Sequence, residues 1–160
     1  MKKTAILTLI LGSFLLLDAR DASAQARLGA NVGYNLDAER WFVGGQLRYG
    51  MPTFPITFNP SVEYYLDVPG ASQWELDLNG LYHIGRQYTT TFTPYFGAGL
   101  GIVYTNYELD ALDNDTNLGL NLVAGADFGS GSLQPFVEAR IQVMDGATPV
   151  SVRGGVTFGL

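Results

Sequence analysis

The chain has 160 residues, 47% hydrophobic and 15% charged, with 20 glycines and a formal charge of −6, which fits one domain with ample apolar surface to place. Nine Lys and Arg against fifteen Asp and Glu, with no basic run after residue 3, exclude a binder of nucleic-acid phosphates. The lack of cysteine excludes disulfides, cysteine–zinc centres and thiol catalysis.

The N-terminus carries an export pattern. "MKK" is a short positive region, "TAILTLILGSFLLL" an apolar stretch too short to span a bilayer, and "ASA" at Ala22 to Ala24 a small-x-small cleavage site. Residues 1–24 are therefore expected to be a signal peptide cut before Gln25, leaving 25–160 as the mature domain. Removing Lys2, Lys3 and Arg20 with Asp18 and Asp21 moves the net charge from −6 to −7.

From Ala26 onward, apolar residues recur at every second position in eight segments of about ten residues, separated by Gly, Pro, Asn, Asp and Ser. The first segment turns Leu28, Ala30, Val32, Tyr34 and Leu36 to one face. The second sets Trp41, Val43, Gly45, Leu47 and Tyr49 against Phe42, Gly44, Gln46 and Arg48. In the third, Ile56, Phe58, Pro60, Val62, Tyr64 and Leu66 oppose Thr57, Asn59, Ser61, Glu63 and Tyr65. Pro60 lacks the ladder donor of a mid-strand residue, so a bulge or a lost hydrogen bond is expected there. The fourth alternates from Trp74 to Ile84 against Glu75, Asp77, Asn79, Leu81 and His83.

The fifth segment, "PYFGAGLGIVY" from Pro94 to Tyr104, has glycines at 97, 99 and 101. This spacing misses the G-x-G-x-x-G dinucleotide fingerprint, and no helix follows to receive an anion. The three glycines instead share one strand face, leaving room for larger neighbours such as the Arg and Glu side chains of other strands. The sixth segment runs from Asn117 to Phe128. The seventh puts Glu138 and Arg140 opposite Val137, Ala139 and Ile141, and the eighth puts Arg153 opposite Val152 and Gly154 and ends at Leu160.

No apolar-face position carries a charge, whereas Arg48, Glu63, Glu75, Asp77, His83, Asp127, Glu138, Arg140 and Arg153 all fall on the other face. Tyr34, Trp41, Tyr64, Trp74 and Tyr104 gather at one end of the apolar face. Tyr49, Phe58, Tyr82, Phe96, Phe128 and Phe158 gather at the other. Two aromatic girdles around an aliphatic band are what a bilayer selects, and strands cross hydrocarbon only as a closed barrel. The expected fold is all-β, an eight-stranded antiparallel up-and-down transmembrane β-barrel, with the charges turned into its lumen.

The signal peptide, the eight segments, "PYFGAGLG", "PFVEAR" and the ending "RGGVTFGL" together resemble the small outer-membrane barrel family that includes the OmpA membrane domain, OmpX and OmpW. The resemblance spans the mature chain. It implies a Gram-negative outer-membrane location, periplasmic termini and a monomer among outer-membrane lipids and lipopolysaccharide. It also implies recognition by the barrel-assembly machinery through Arg153, Gly155, Phe158 and Leu160, with Leu160 in place of the more usual terminal Phe.

An eight-stranded barrel is just wide enough for its own side chains. Arg48, Glu63, Glu75, Asp77, Glu138, Arg140 and Arg153 are therefore expected to plug it as a structural polar network, with Arg48 facing Glu63 and Glu138 or Arg140 facing Arg153, Glu75 or Asp77. The expected role is structural or interactive; the alternative is a small transport or binding barrel for a small or hydrophobic ligand, as the resemblance to OmpW-like proteins implies. His83 is a lone histidine without a His-x-Ser partner, so catalysis is not expected. Glu108, Asp110, Asp113 and Asp115 lack EF-hand spacing and read as a solvated acidic loop. No cofactor or metal site is expected.

Overall fold

The structure is a computed structural model that describes residues 25–50, 55–85, 91–107 and 114–160. The signal-peptide segment and the acidic residues Glu108, Asp110 and Asp113 lie outside the described residues. Eight strands run in chain order: β1 (Gln25–Asn35), β2 (Arg40–Gly50), β3 (Ile56–Tyr65), β4 (Ala71–His83), β5 (Phe92–Tyr107), β6 (Asp115–Phe128), β7 (Leu133–Met144) and β8 (Val150–Gly159). Each pairs antiparallel with its sequence neighbours, and β1 pairs with β8, closing the barrel. The expected up-and-down barrel is the fold observed.

Side chains alternate across this wall because successive residues of a strand point to opposite faces. The outward set is aliphatic, with Leu118, Leu120 and Leu122 of β6 up to 64% exposed. The inward set is polar: Glu63 and Asp77 have no exposed surface, and the other lumenal Arg, Glu and Asp side chains are buried with them. A soluble barrel places these two sets the other way round.

The register also fixes the girdles. Tyr34 pairs with Trp41, Tyr64 with Trp74, and Trp74 with Tyr104 at one rim. At the other rim Tyr49 pairs with Phe58, Tyr82 with Phe96, and Phe92 with Phe128. Ring centroids of 5.2 Å for Tyr34–Trp41 and 4.7 Å for Tyr64–Trp74 show that the paired rings touch.

Lumen packing follows a pairing rule in which a glycine faces a large side chain. Gly33 lies directly opposite Phe42, Gly97 opposite Leu81, Gly125 opposite Tyr95, and Gly155 opposite Phe136. A Cβ at Gly33 would stand 2.2 Å from the Phe42 ring, and one at Gly125 would stand 2.6 Å from Tyr95. The space beside Gly97, Gly99 and Gly101 is taken by Leu81, by Asn79 and the Leu78 carbonyl, and by Gln142 with Asp77. The expectation of Arg and Glu side chains there is corrected: the tenants are an aliphatic side chain, amides and one aspartate.

Pro60 produces no bulge. Gln46–Ser61 and Tyr49–Phe58 keep one register on either side of it, and only the pairings between them are lost. The bond from Leu66 N to Trp41 O shows that even-numbered residues of β3 aim their nitrogens at β2, so residue 60 would have bonded the Leu47 carbonyl. That carbonyl instead accepts a hydrogen bond from Asn59 Nδ2 at 2.9 Å. The side chain next to the proline replaces the donor the proline lacks.

Candidate functional site in the barrel lumen

The strongest chemistry of the chain lies in the lumen. Arg140 on β7 reaches across to β3 and β4. Its Nη2 donates to Glu63 Oε2 at 2.9 Å and Glu75 Oε2 at 3.0 Å, and its Nη1 bonds Asp77. Arg153 on β8 donates from Nε to Glu138 Oε1 at 2.6 Å, its direct cross-strand neighbour, and pairs with Glu63 from across the lumen. Glu63 thus links the two guanidiniums.

Neutral groups complete the cluster. Tyr65 Oη donates to Glu75 Oε2 at 2.7 Å and Gln142 Nε2 to Glu75 Oε1 at 2.8 Å. Asn121 Nδ2 donates to Asp77 Oδ1 at 2.7 Å and to Asn79 Oδ1 at 3.2 Å, passing over the bare backbone of Gly99. Hydrogen bonds to the carboxylates offset part of the cost of burying them.

A second cluster sits toward the end of the barrel where β1 begins and β8 ends. Arg48 Nη1 donates to Asp127 Oδ1 at 2.5 Å and its Nη2 to Tyr95 Oη at 3.0 Å. The guanidinium also stacks on Tyr95 and Phe136, at 5.0 and 4.7 Å from the ring centres. Tyr95 Oη in turn donates to Glu138 Oε2 at 2.9 Å. One continuous network therefore runs from His83 through Asp127, Arg48, Tyr95, Glu138, Arg153 and Glu63 to Arg140.

All seven residues singled out in the lumen face inward, but their pairing differs from expectation in one place. Arg48 does not meet Glu63. Glu63 is opposite Gly44, four residues from Arg48 along β2, about 13 Å at a strand's rise per residue. Lying on adjacent strands does not by itself put two charges at one height. Its actual partner, Asp127, carried the same signal of a charge on the inward face but lies on β6, across the lumen. Glu138–Arg153 and Arg140 with Glu75 and Asp77 come together as expected.

His83 Nε2 lies 3.1 Å from Asp127 Oδ2, and its Nδ1 lies 3.5 Å from Thr57 Oγ1. The ring is buried inside the wall and faces Tyr95 at 5.3 Å between ring centres. Among the described residues no group of three or more His, Asp or Glu has the arrangement to hold a metal ion. Asp115, the described member of the acidic loop, accepts from Asn117 Nδ2 at 2.8 Å. Of the terminal pattern, Arg153 and Gly155 face the lumen, Phe158 faces outward, and Leu160 is 84% exposed with its nitrogen bonded to Ala26 O at 3.0 Å.

With that geometry established, comparison with solved structures places the architecture. The N-terminal β-barrel domain of Pseudomonas aeruginosa OprF matches with a TM-score of 0.71 and 20% identity, over 86% of this chain and all of that one. The chain has the fold of the small outer-membrane β-barrels. Neisserial surface protein A matches with a TM-score of 0.62 and 14% identity, over 86% of this chain and 96% of that one. The outer membrane enzyme PagL matches with a TM-score of 0.54 and 14% identity, over 84% and 99%. No protein-family model and no curated protein matches the chain.

Proposed function

We propose that this barrel is an integral outer-membrane protein with a structural, envelope-integrity or interaction role, its lumen closed by the charged network. The observation that carries the reading is the lumen itself: Arg48, Arg140 and Arg153 are each held by carboxylates at full burial. An ion entering there has to displace fixed charges already satisfied by one another. Export through residues 1–24, insertion by the barrel-assembly machinery through the Arg153, Gly155, Phe158 and Leu160 pattern, and a monomer with periplasmic termini belong to the same reading. Short connections at 36–39 and 145–149 favour envelope lipids and lipopolysaccharide over large displayed epitopes as partners.

Two measurements test it. Planar-bilayer recording is expected to give no discrete openings, and reproducible single-channel steps overturn the closed lumen. A deletion strain is expected to become sensitive to detergent and permeable to hydrophobic dyes, with recovery on complementation.

The fold also houses an enzyme, PagL, so catalysis needs its own test. In this reading His83 is a member of the polar network, because Asp127 engages its Nε2. Purified barrel incubated with lipopolysaccharide and phospholipid is expected to release no acyl chain. Release that disappears in His83→Ala overturns this assignment.

A further inference from the structure

A belt of neutral amides lines the lumen below the Arg140 cluster. On β4, Asn79 stands between Asp77 of that cluster and His83 of the Arg48 cluster. Asn59 lies directly opposite Asn79, and Gly99 separates Asn79 from Asn121. Asn59 Nδ2 gives its hydrogens to the Leu47 carbonyl and to Gln46 Oε1, and Asn121 Nδ2 gives its own to Asp77 and Asn79. The belt is thus bonded at both ends.

It breaks between the two direct neighbours. Among the described residues Asn59 Oδ1 accepts from no group and Asn79 Nδ2 donates to none, although both side chains are buried. Side chains directly opposite on antiparallel strands have Cβ atoms about 4.5–5.5 Å apart, so an acceptor and a donor face one short gap. Turning either amide over does not mend it. Asn59 would set its oxygen against the Leu47 carbonyl, and Asn79 would set its nitrogen against Asn121 Nδ2. The break follows from Pro60, because serving the Leu47 carbonyl fixes which way Asn59 points.

A second break lies beside it. Asn31 Oδ1 sits over Gly44, 3.1 Å from where a Cβ would stand, and Gln46 follows on the same face of β2. Both amide atoms of Asn31 and the Nε2 of Gln46 are buried without a partner, as is Arg48 Nε next along that face.

The unpartnered atoms name the ligand. Asn31 Nδ2, Gln46 Nε2, Arg48 Nε and Asn79 Nδ2 are donors, whereas Asn31 Oδ1, Asn59 Oδ1 and Asn121 Oδ1 are acceptors. A hard metal cation takes oxygens alone, and an anion takes donors alone. A mixed set on neutral amides fits a small molecule that both gives and accepts hydrogen bonds, which is how buried water is held.

We propose that the amide belt is a water-binding site with two seats, one bridging Asn79 Nδ2 to Asn59 Oδ1 and one bridging Gln46 Nε2 to Asn31 Oδ1. Water closes the belt without bringing a charge into it. This site rests on the closed-lumen reading above and deepens it: the lumen is shut by side chains and water together.

Water-selective NOE spectroscopy of the isotope-labelled mature barrel in deuterated detergent micelles tests the two seats. The Asn79 Nδ2 and Gln46 Nε2 protons are expected to show cross-peaks at the water frequency. Asn31→Leu is expected to erase the Gln46 cross-peak and keep that of Asn79, whereas Asn59→Leu is expected to erase the Asn79 cross-peak, with folding checked by heat-shifted gel migration. Ser61→Ala removes the exchangeable hydroxyl two residues from Asn59 on the same face of β3 and is expected to keep both. The site is overturned if the wild type shows neither cross-peak, if Asn31→Leu erases both, or if Ser61→Ala erases either. It is overturned too if exchanging sodium for caesium chloride moves these amide resonances, which assigns the belt to a cation. The wild-type spectrum decides by itself where a variant fails to fold. Discrete openings in planar bilayers sink the closed lumen instead, and so are distinct from these outcomes.

Discussion

At the scale of single residues, glycine and arginine carry opposite duties in the lumen. Gly99 is held bare on three sides: an added Cβ would stand 2.1 Å from Leu78 O, 2.4 Å from Asn79 Oδ1 and 2.6 Å from Asn79 Cα. Two of these are backbone atoms, which cannot swing away. Gly99→Val is expected to lower stability by about 1–3 kcal/mol or more, the range for overpacking, read as a reduced urea midpoint in detergent micelles. Gly45 faces outward with its nearest neighbour, Gly29 O, at 3.7 Å, and Gly45→Ala is expected to leave that midpoint unchanged. Equal effects of the two substitutions would refute the distinction. Arg140 is the converse case, a charge that three carboxylates require. Arg140→Met leaves Glu75 and Asp77 without a cation and Glu63 with Arg153 alone, and is expected to cost about 3–5 kcal/mol in the same assay. The sequence placed these residues on the inward face because alternation alone decides the face. It did not pair Arg48 with Asp127, because height around a closed, tilted wall depends on stagger, which no single strand encodes.

At the scale of the strand, alternation and hydrogen bonding turn out to end at different places. The pattern in "PYFGAGLGIVY" stops at Tyr104, yet β5 continues to Tyr107, with Thr105, Asn106 and Tyr107 paired to Gln73, Ser72 and Ala71. Apolar alternation marks the height of the hydrocarbon, whereas the ladder persists beyond it. The segments visible in the sequence are therefore the part of each strand that a bilayer selects. Pro60 shows a second limit, since its neighbour's role depends on which strand its nitrogen faces. Asn59→Leu removes the donor that serves the Leu47 carbonyl and is expected to cost about 1–3 kcal/mol, as for a buried group left unpaired. Pro60→Ala restores a backbone donor at that position. In a double-mutant cycle the Asn59→Leu penalty is expected to shrink in the Pro60→Ala background. The residual cost is the lost bond from Asn59 Nδ2 to Gln46 Oε1. A penalty of the same size in both backgrounds would show that the side chain does not replace the proline's missing donor.

At the scale of the whole molecule, the decisive property is that the wall is apolar outside and charged inside. This can be tested without reference to any partner. Leu100 lies on the outward face midway between the Phe96 and Tyr104 girdles, whereas Leu36 stands just past β1 at the rim; both are about half exposed, at 45% and 50%. In water, arginine at either place would be nearly neutral, because both side chains are open to solvent to a similar degree. In a bilayer the two positions differ by depth. Arginine at the midplane of a barrel's lipid face costs about 2–4 kcal/mol, falling to about 0–1 kcal/mol near the interface. Leu100→Arg is therefore expected to lower folding stability in lipid vesicles by that larger amount, and Leu36→Arg by little. The contrast should collapse when the same variants are folded in small micelles, whose thin apolar shell lets a long cation reach water. Equal penalties at the two heights in vesicles would mean that the aliphatic band is not set against hydrocarbon, and the reading of the wall as a membrane surface would fall with it.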